Sequence, residues 1–273
     1  MAGTRKIGVF DSGMGGLTVL KALSASLPDA TFVYLGDTAR LPYGTKSAST
    51  VEHYALQAAR ALTRHDVDLL VIACNTASAV ALGPLTENLA PLPVVGVVEP
   101  GAEAGVAATR KGHIAVIATE STVRGGAYER AIKARAPEVR VTQTACPLFV
   151  ALAEEGWTTG TVATAAAERY LDPIFKVPEH ERPDTLVLGC THFPALREII
   201  KYAIGPGVAI VDSAETTARR VHGLLPASNG SAPAEAPRFL VTDSPERFAR
   251  VGSIFLDRPI APDAVELVDL SFG

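Results

Sequence analysis

Two cysteines hold the most chemistry in this chain. Cys74 stands in Ala73-Cys74-Asn75-Thr76-Ala77 and Cys190 in Gly189-Cys190-Thr191-His192-Phe193, each directly after an apolar run of strand length. A thiol at a strand end, followed by polar residues that open a helix, lies near free backbone N–H groups and a positive helix dipole. That setting lowers a thiol pKa and makes thiolate available near neutral pH. Cysteine is also a common small, buried hydrophobe, but two matched positions argue for a shared role. Cys146 precedes Pro147 inside an apolar segment, has no counterpart and reads as structural.

Three chemistries could use two thiols on opposite walls of one cleft. A redox pair finds no C-x-x-C to support it. Zinc, with Cys74, Cys190 and His192 as ligands, finds no C-x₂₋₄-C or H-x₃₋₅-H spacing, so no metal is expected. Proton transfer at a stereocentre fits best: one thiolate removes a proton from one face of a carbon, and the opposite thiol supplies one to the other face. A rival of a different class is a thiol hydrolase or acyl transferase using Cys190 with His192, which leaves Cys74 without a task.

Other polar residues gather near the same strand ends. Asp11-Ser12-Gly13-Met14-Gly15-Gly16 forms a glycine loop between a strand and a helix. It is not G-x-G-x-x-G, because Thr18 holds the third glycine position, and it is not a P-loop. Its glycines permit close backbone approach to a ligand, and the helix start favours an anion, a carboxylate as readily as a phosphate. Asp11 could bind an ammonium group or tune a nearby thiol. Asn75, Thr76 and Thr191 offer donors to carboxylate oxygens, or cap helices. His192, two residues from Cys190, could assist that thiol as acid, base or cation.

The elements that must position these residues follow from hydrophobic patterning. Residues 7–10, 31–35, 69–72, 94–98, 113–117, 186–188, 208–211 and 238–241 read as strands. Ala-rich stretches at 17–26 and 47–64 read as helices. Continuous apolar strands separated by helices imply an α/β fold of parallel sheets covered on both faces. Ligands bind beyond the carboxyl ends of such strands. A weak internal repeat relates Ile7-Gly8-Val9-Phe10-Asp11-Ser12 to Ile114-Ala115-Val116-Ile117-Ala118-Thr119, and residues 68–74 to 184–190. Two related halves facing each other across a cleft would follow. With hinges at residues 98–101 and 205–207, residues 1–98 and 207–273 would form a discontinuous first domain and 99–206 the second. The stretch 226–237, PASNGSAPAEAP, reads as a surface loop.

Composition narrows the class. Of 273 residues, 48% are hydrophobic and 20% charged, which suits a packed core. A net charge of −4 argues against nucleic-acid or anionic-membrane partners. No apolar stretch reaches the roughly 18–20 residues of a membrane span. The opening MAGTRKIGVF lacks the apolar region of a secretory signal, and three scattered cysteines do not make a disulfide framework. A cytoplasmic protein with free thiols is expected.

Taken together, the motifs resemble those of the glutamate racemases, within the cofactor-independent aspartate/glutamate racemase superfamily. The matching stretches are GVFDSGMGGLT (8–18), GDTARLPYGTKS (36–47), CNTASA (74–79), VEPG (98–101), PLFVALAEEG (147–156) and GCTHFPAL (189–196). They span nearly the whole chain in family order. The resemblance implies two pseudo-symmetric flavodoxin-like domains with the active site in the cleft between them. It implies interconversion of L- and D-glutamate without pyridoxal phosphate, metal or other cofactor, in the supply of D-glutamate for peptidoglycan precursors.

By motif match, Cys74 and Cys190 would be the acid/base thiols, the first acting on the D- and the second on the L-enantiomer. Asp11 would assist Cys74 and contact the substrate amine; His192 would assist Cys190. Glu154, preferred over the adjacent Glu155, matches a further catalytic acid. Ser12, Pro42, Tyr43, Gly44, Asn75, Thr76 and Thr191 match substrate-contacting positions, with Asp37, Thr119 and Thr122 as weaker candidates. A homodimer is a family-level expectation. The departures are small: Ala151 stands for a common Pro, Phe193 for a common Tyr, and the 226–237 loop is longer than the pattern needs. Racemisation of aspartate is the nearest rival, because pocket depth is not visible in sequence.

Overall fold

Apolar runs without polar alternation become strands buried on both faces. The computed structural model describes residues 5–225 and 235–270. Its first stretch runs β1 (Lys6–Asp11), α1 (Leu17–Ser26), β2 (Thr31–Gly36), α2 (Ala48–Thr63), β3 (Leu69–Ile72), α3 (Asn75–Leu89), β4 (Val94–Gly96) and α4 (Val98–Ala108). The second runs β5 (His113–Ala118), α5 (Glu120–Gly125), α6 (Ala127–Arg135), β6 (Arg140–Ala145), α7 (Pro147–Glu154), α8 (Gly160–Phe175), β7 (Thr185–Gly189), α9 (Arg197–Ile204) and β8 (Ala209–Asp212). The chain then returns through α10 (Ser213–Leu224), β9 (Arg238–Val241), α11 (Pro245–Leu256) and β10 (Val265–Leu267).

These strands form two sheets, ordered β10-β9-β2-β1-β3-β4 and β6-β5-β7-β8, with every neighbouring pair parallel. The order β2-β1-β3-β4 recurs as β6-β5-β7-β8, so the fold is α/β with two pseudo-symmetric flavodoxin-like units. The strands of the sequence repeat are equivalent: β1 corresponds to β5 and β3 to β7. Asp68 and Asp184 mark the correspondence, since their backbone N–H groups donate to Lys6 and His113 carbonyls at 2.7 and 3.2 Å.

The inner strands β3 and β7 are wholly buried, and each is followed within two residues by a cysteine. Two edge strands escape the sequence pattern. β6 is RVTQTA, half-exposed and mostly polar, and β10 is only three residues long. The predicted strand at 94–98 stops at Gly96. Residues 98–101, predicted as a hinge, are instead the first turn of α4. Gly205 and Gly207, with φ of 70° and 82°, do make a turn, but it joins α9 to β8. Because β8 pairs with β7, the second sheet extends through Asp212, beyond the predicted boundary at 206/207. α10 then bridges the two units, resting against both α1 and α4. Residues 226–234 of the predicted surface loop lie outside the described residues. No described helix is long and apolar enough to cross a membrane.

Candidate active site

Strands β3 and β7 aim their carboxyl ends at one small cavity of about 30 Å³, so Cys74 and Cys190 line the same space. From the first unit Ser12, Pro42, Tyr43, Gly44, Asn75 and Thr76 also line it. From the second come Thr119, Glu154, Thr191 and His192. Asp11, Asp37 and Thr122 are fully buried and stand behind this lining. Gly13, Leu41 and Val150 complete it; an apolar side chain leaves no chemical signal in a sequence. A larger open groove, about 670 Å³, runs between α1, α10 and α11 and touches neither cysteine.

The Cys74 wall is crowded and carries a buried acid, Asp11. Cys74 caps α3, its Sγ accepting from the Ala77 N–H at 3.4 Å. Burial nevertheless pushes its pKa up to about 12, and the Asp11 carboxylate adds to the rise. Hydrogen bonds from Ser12 and Ala77 act the other way without prevailing. The expected lowering by the helix start is therefore overturned here: Cys74 is a thiol at neutral pH. Asp11 ends β1, and its Oδ2 accepts from the Gly13 N–H at 3.0 Å, with the Ser12 and Gly16 amides also turned to it. The glycine loop thus cradles the protein's own Asp11 carboxyl, whose pKa burial raises against the opposing pull of His192 and the loop amides. Tyr34 Oη holds the loop through the Gly13 carbonyl at 3.0 Å.

The Cys190 wall is cationic. His192 Nδ1 lies 3.8 Å from Cys190 Sγ and 3.5 Å from Thr191 Oγ1. Its Nε2 lies 3.1 Å from Glu154 Oε1. Burial works against the imidazolium, but Cys190 and Glu154 outweigh it and lift the His192 pKa to about 10. Glu154, resisted by burial and favoured by His192 and Arg247, is held below the usual carboxylate range. Glu155 is exposed. A buried acid beside one thiol and an imidazolium beside the other give the two walls different character.

Several contacts cross the cleft. Thr76 Oγ1 meets Thr119 and Thr122 hydroxyls at 3.0 and 3.3 Å. Tyr128 Oη donates to Asn75 Oδ1 at 2.6 Å, and Arg247 Nη2 to Glu154 Oε2 at 3.1 Å. Tyr43 donates to the buried Asp37, which also accepts from Arg40 Nε at 2.7 Å and Thr242 at 2.9 Å. Asp37 thereby anchors the turn that brings Tyr43 and Gly44 to the cavity.

Residues 17–221 match the family model described as Asp/Glu/hydantoin racemase. The chain belongs to this family. It is 51% identical to the glutamate racemase of Geobacter metallireducens, over 92% of this chain and 93% of that one. It is 46% identical to that of Syntrophus aciditrophicus, over 97% and 96%. The crystal structure of the Francisella tularensis glutamate racemase in complex with D-glutamate superposes with a TM-score of 0.89, at 34% identity and 99% coverage of both chains.

Two participants in this racemase-family site have no mark in the sequence. Arg247 and Tyr128 lie on helices far along the chain from the residues they hold, outside every motif that follows a strand. Only the assembled cleft brings them to Glu154 and Asn75.

Proposed function

We propose that this chain interconverts L- and D-glutamate by proton transfer between two thiols, without a cofactor, and supplies D-glutamate for peptidoglycan precursors in the cytoplasm. The observation that carries the reading is the pair of buried cysteines at equivalent strand ends, lining one cavity, with Asp11 beside one and His192 beside the other. The glutamate racemase relatives support glutamate as the substrate.

The α-proton of an amino acid is a very weak acid, so the site must act through positioning and electrostatics. Starting from L-glutamate, Cys190 as thiolate, paired with the His192 imidazolium, takes the α-proton. Negative charge builds on the α-carbon and spreads into its carboxylate. Asn75, Thr76 and Thr191 donors stabilise that charge; losing one such donor typically costs about 10²–10³ in rate. The Cys74 thiol then gives its proton to the opposite face, yielding D-glutamate, a Cys74 thiolate and a Cys190 thiol. Proton exchange with water, or a turnover from D-glutamate, restores the starting state. The raised pKa of Cys74 suits the donor in this direction.

Proton NMR in D₂O tests the reading. Reduced protein with L-glutamate, then D-glutamate, should lose the α-proton signal, while a chiral assay shows the other enantiomer. L- and D-aspartate serve as controls. Absence of exchange from folded protein, even with a cell-wall precursor added, refutes it and favours a thiol hydrolase.

A further inference from the structure

Helix α11 makes two contacts with the Cys190 wall, although its own neighbours belong to the first sheet. Arg247 Nη2 lies 3.1 Å from Glu154 Oε2. Two turns further along, the Phe255 ring stands edge-on to the His192 imidazole, with centroids 5.1 Å apart and planes at 75°. The Glu154 carboxylate is thus fully occupied, one oxygen on His192 and the other on Arg247. The resulting line runs Arg247, Glu154, His192, Cys190. Among the described residues the Cys74 wall has no equivalent: Asp11 Oδ2 accepts from the Gly13 amide of its own loop, and its Oδ1 is buried without a partner.

We propose that Arg247 is a positioning residue for proton transfer at Cys190, acting through Glu154 and His192. The proposal rests on the two-thiol reading of the site. A buried carboxylate next to an imidazole has two competing states: an ion pair, or a neutral pair with the proton moved to the acid. Only the ion pair presents Cys190 with a cation. Arg247 is always charged and disfavours protonation of Glu154. It also fixes the carboxylate plane so that Oε1 meets His192 Nε2, the usual work of a partner behind a functional imidazole. About a third of the Arg247 side chain is exposed, so its replacement empties no core.

Arg247→Gln and Arg247→Lys test the assignment. With Arg247→Gln, kcat/KM should fall about 10- to 100-fold, the usual cost of losing such a partner, and Arg247→Lys should recover part of it. Because the enantiomers have equal energy in water, kcat/KM must fall equally in both directions. The side of the defect is read instead from primary isotope effects on kcat/KM. Slower transfer at Cys190 raises the effect with α-deuterated L-glutamate, where Cys190 removes the deuteron. It lowers the effect with α-deuterated D-glutamate, where Cys190 delivers a proton that did not come from substrate. Activity within about twofold of wild type, or isotope effects that move together for both enantiomers, would overturn the proposal. Failure of the two-thiol reading looks different: Cys190→Ala would then racemise glutamate whatever stands at position 247.

Discussion

Tyr128 Oη donates a 2.6 Å hydrogen bond to Asn75 Oδ1 across the cleft, and Asn75 Nδ2 is left buried without a partner. An unpaired buried amide donor is costly, and one that lines the cavity is a donor reserved for a ligand oxygen. Burial, and then Cys190, push the Tyr128 pKa up, so the phenol remains a donor. Tyr128→Phe removes only the hydroxyl and frees the Asn75 amide to turn. The expected result is a rise in glutamate KM of about tenfold, equivalent to about 1.4 kcal/mol, with kcat changed less. Steady-state kinetics with both enantiomers check this. An unchanged KM would remove Asn75 from the carboxylate-binding set.

Gly15 shows why the loop carries glycines. A Cβ there would lie 2.5 Å from Thr191 Oγ1 and 2.6 Å from His192 Nδ1. At Gly44 it would lie 2.6 Å from Thr119 Cβ. Both glycines therefore let the two units close on each other. The closed cavity has room for about two waters, far less than an amino acid needs, so the walls must part to admit substrate. Gly15→Ala should fold, because its backbone needs no left-handed conformation, yet it would displace His192. A shift of that kind typically costs about 10²-fold in rate. Circular dichroism close to wild type with kcat/KM down by about that factor is the expected pair of results. Wild-type activity would mean that the closed arrangement is not the working one.

Much of this site was legible because its residues follow apolar strands in short segments. Asp11 is the last residue of β1, Cys74 lies two residues beyond β3 and Cys190 one beyond β7, where an α/β sheet must place its ligand. Continuous burial made those strands visible, whereas the polar edge strand β6 looked like loop. Arg247 and Tyr128 were illegible for another reason. Each is a single residue on a helix, and its partner is fixed only by how the two units meet. The raised pKa of Cys74 was hidden in the same way, since it comes from burial and from Asp11 rather than from the local helix start.

The charge on His192 sets a pH dependence. Its pKa rises from 6.5 to about 10 on folding. A raised pKa means that the fold binds this proton more tightly than the unfolded chain does. Its contribution to stability is therefore full below pH 6.5 and disappears as the pH climbs through about 10. Cys74, raised from 9.0 to about 12, acts with the same sign at still higher pH. The melting temperature should fall between pH 7 and pH 10, and His192→Asn should flatten that fall. Differential scanning calorimetry across this range checks both. A variant with the same slope as wild type would place the proton elsewhere.

Removing one thiol at a time separates the two walls. Neither Cys74→Ala nor Cys190→Ala should racemise glutamate, because each lacks a proton carrier on one face. What survives should be one-sided. Cys74→Ala keeps the Cys190–His192 wall, so any α-proton exchange in D₂O should be confined to L-glutamate and proceed with retention. Cys190→Ala keeps only the thiol beside Asp11, so residual exchange should be confined to D-glutamate. It should also be the slower of the two, because the pKa of about 12 leaves little thiolate at neutral pH. NMR of each variant with each enantiomer measures all four combinations. Full racemisation by either single variant is incompatible with two thiols working on opposite faces. Exchange of the wrong enantiomer would reverse the assignment of faces while leaving the pair intact.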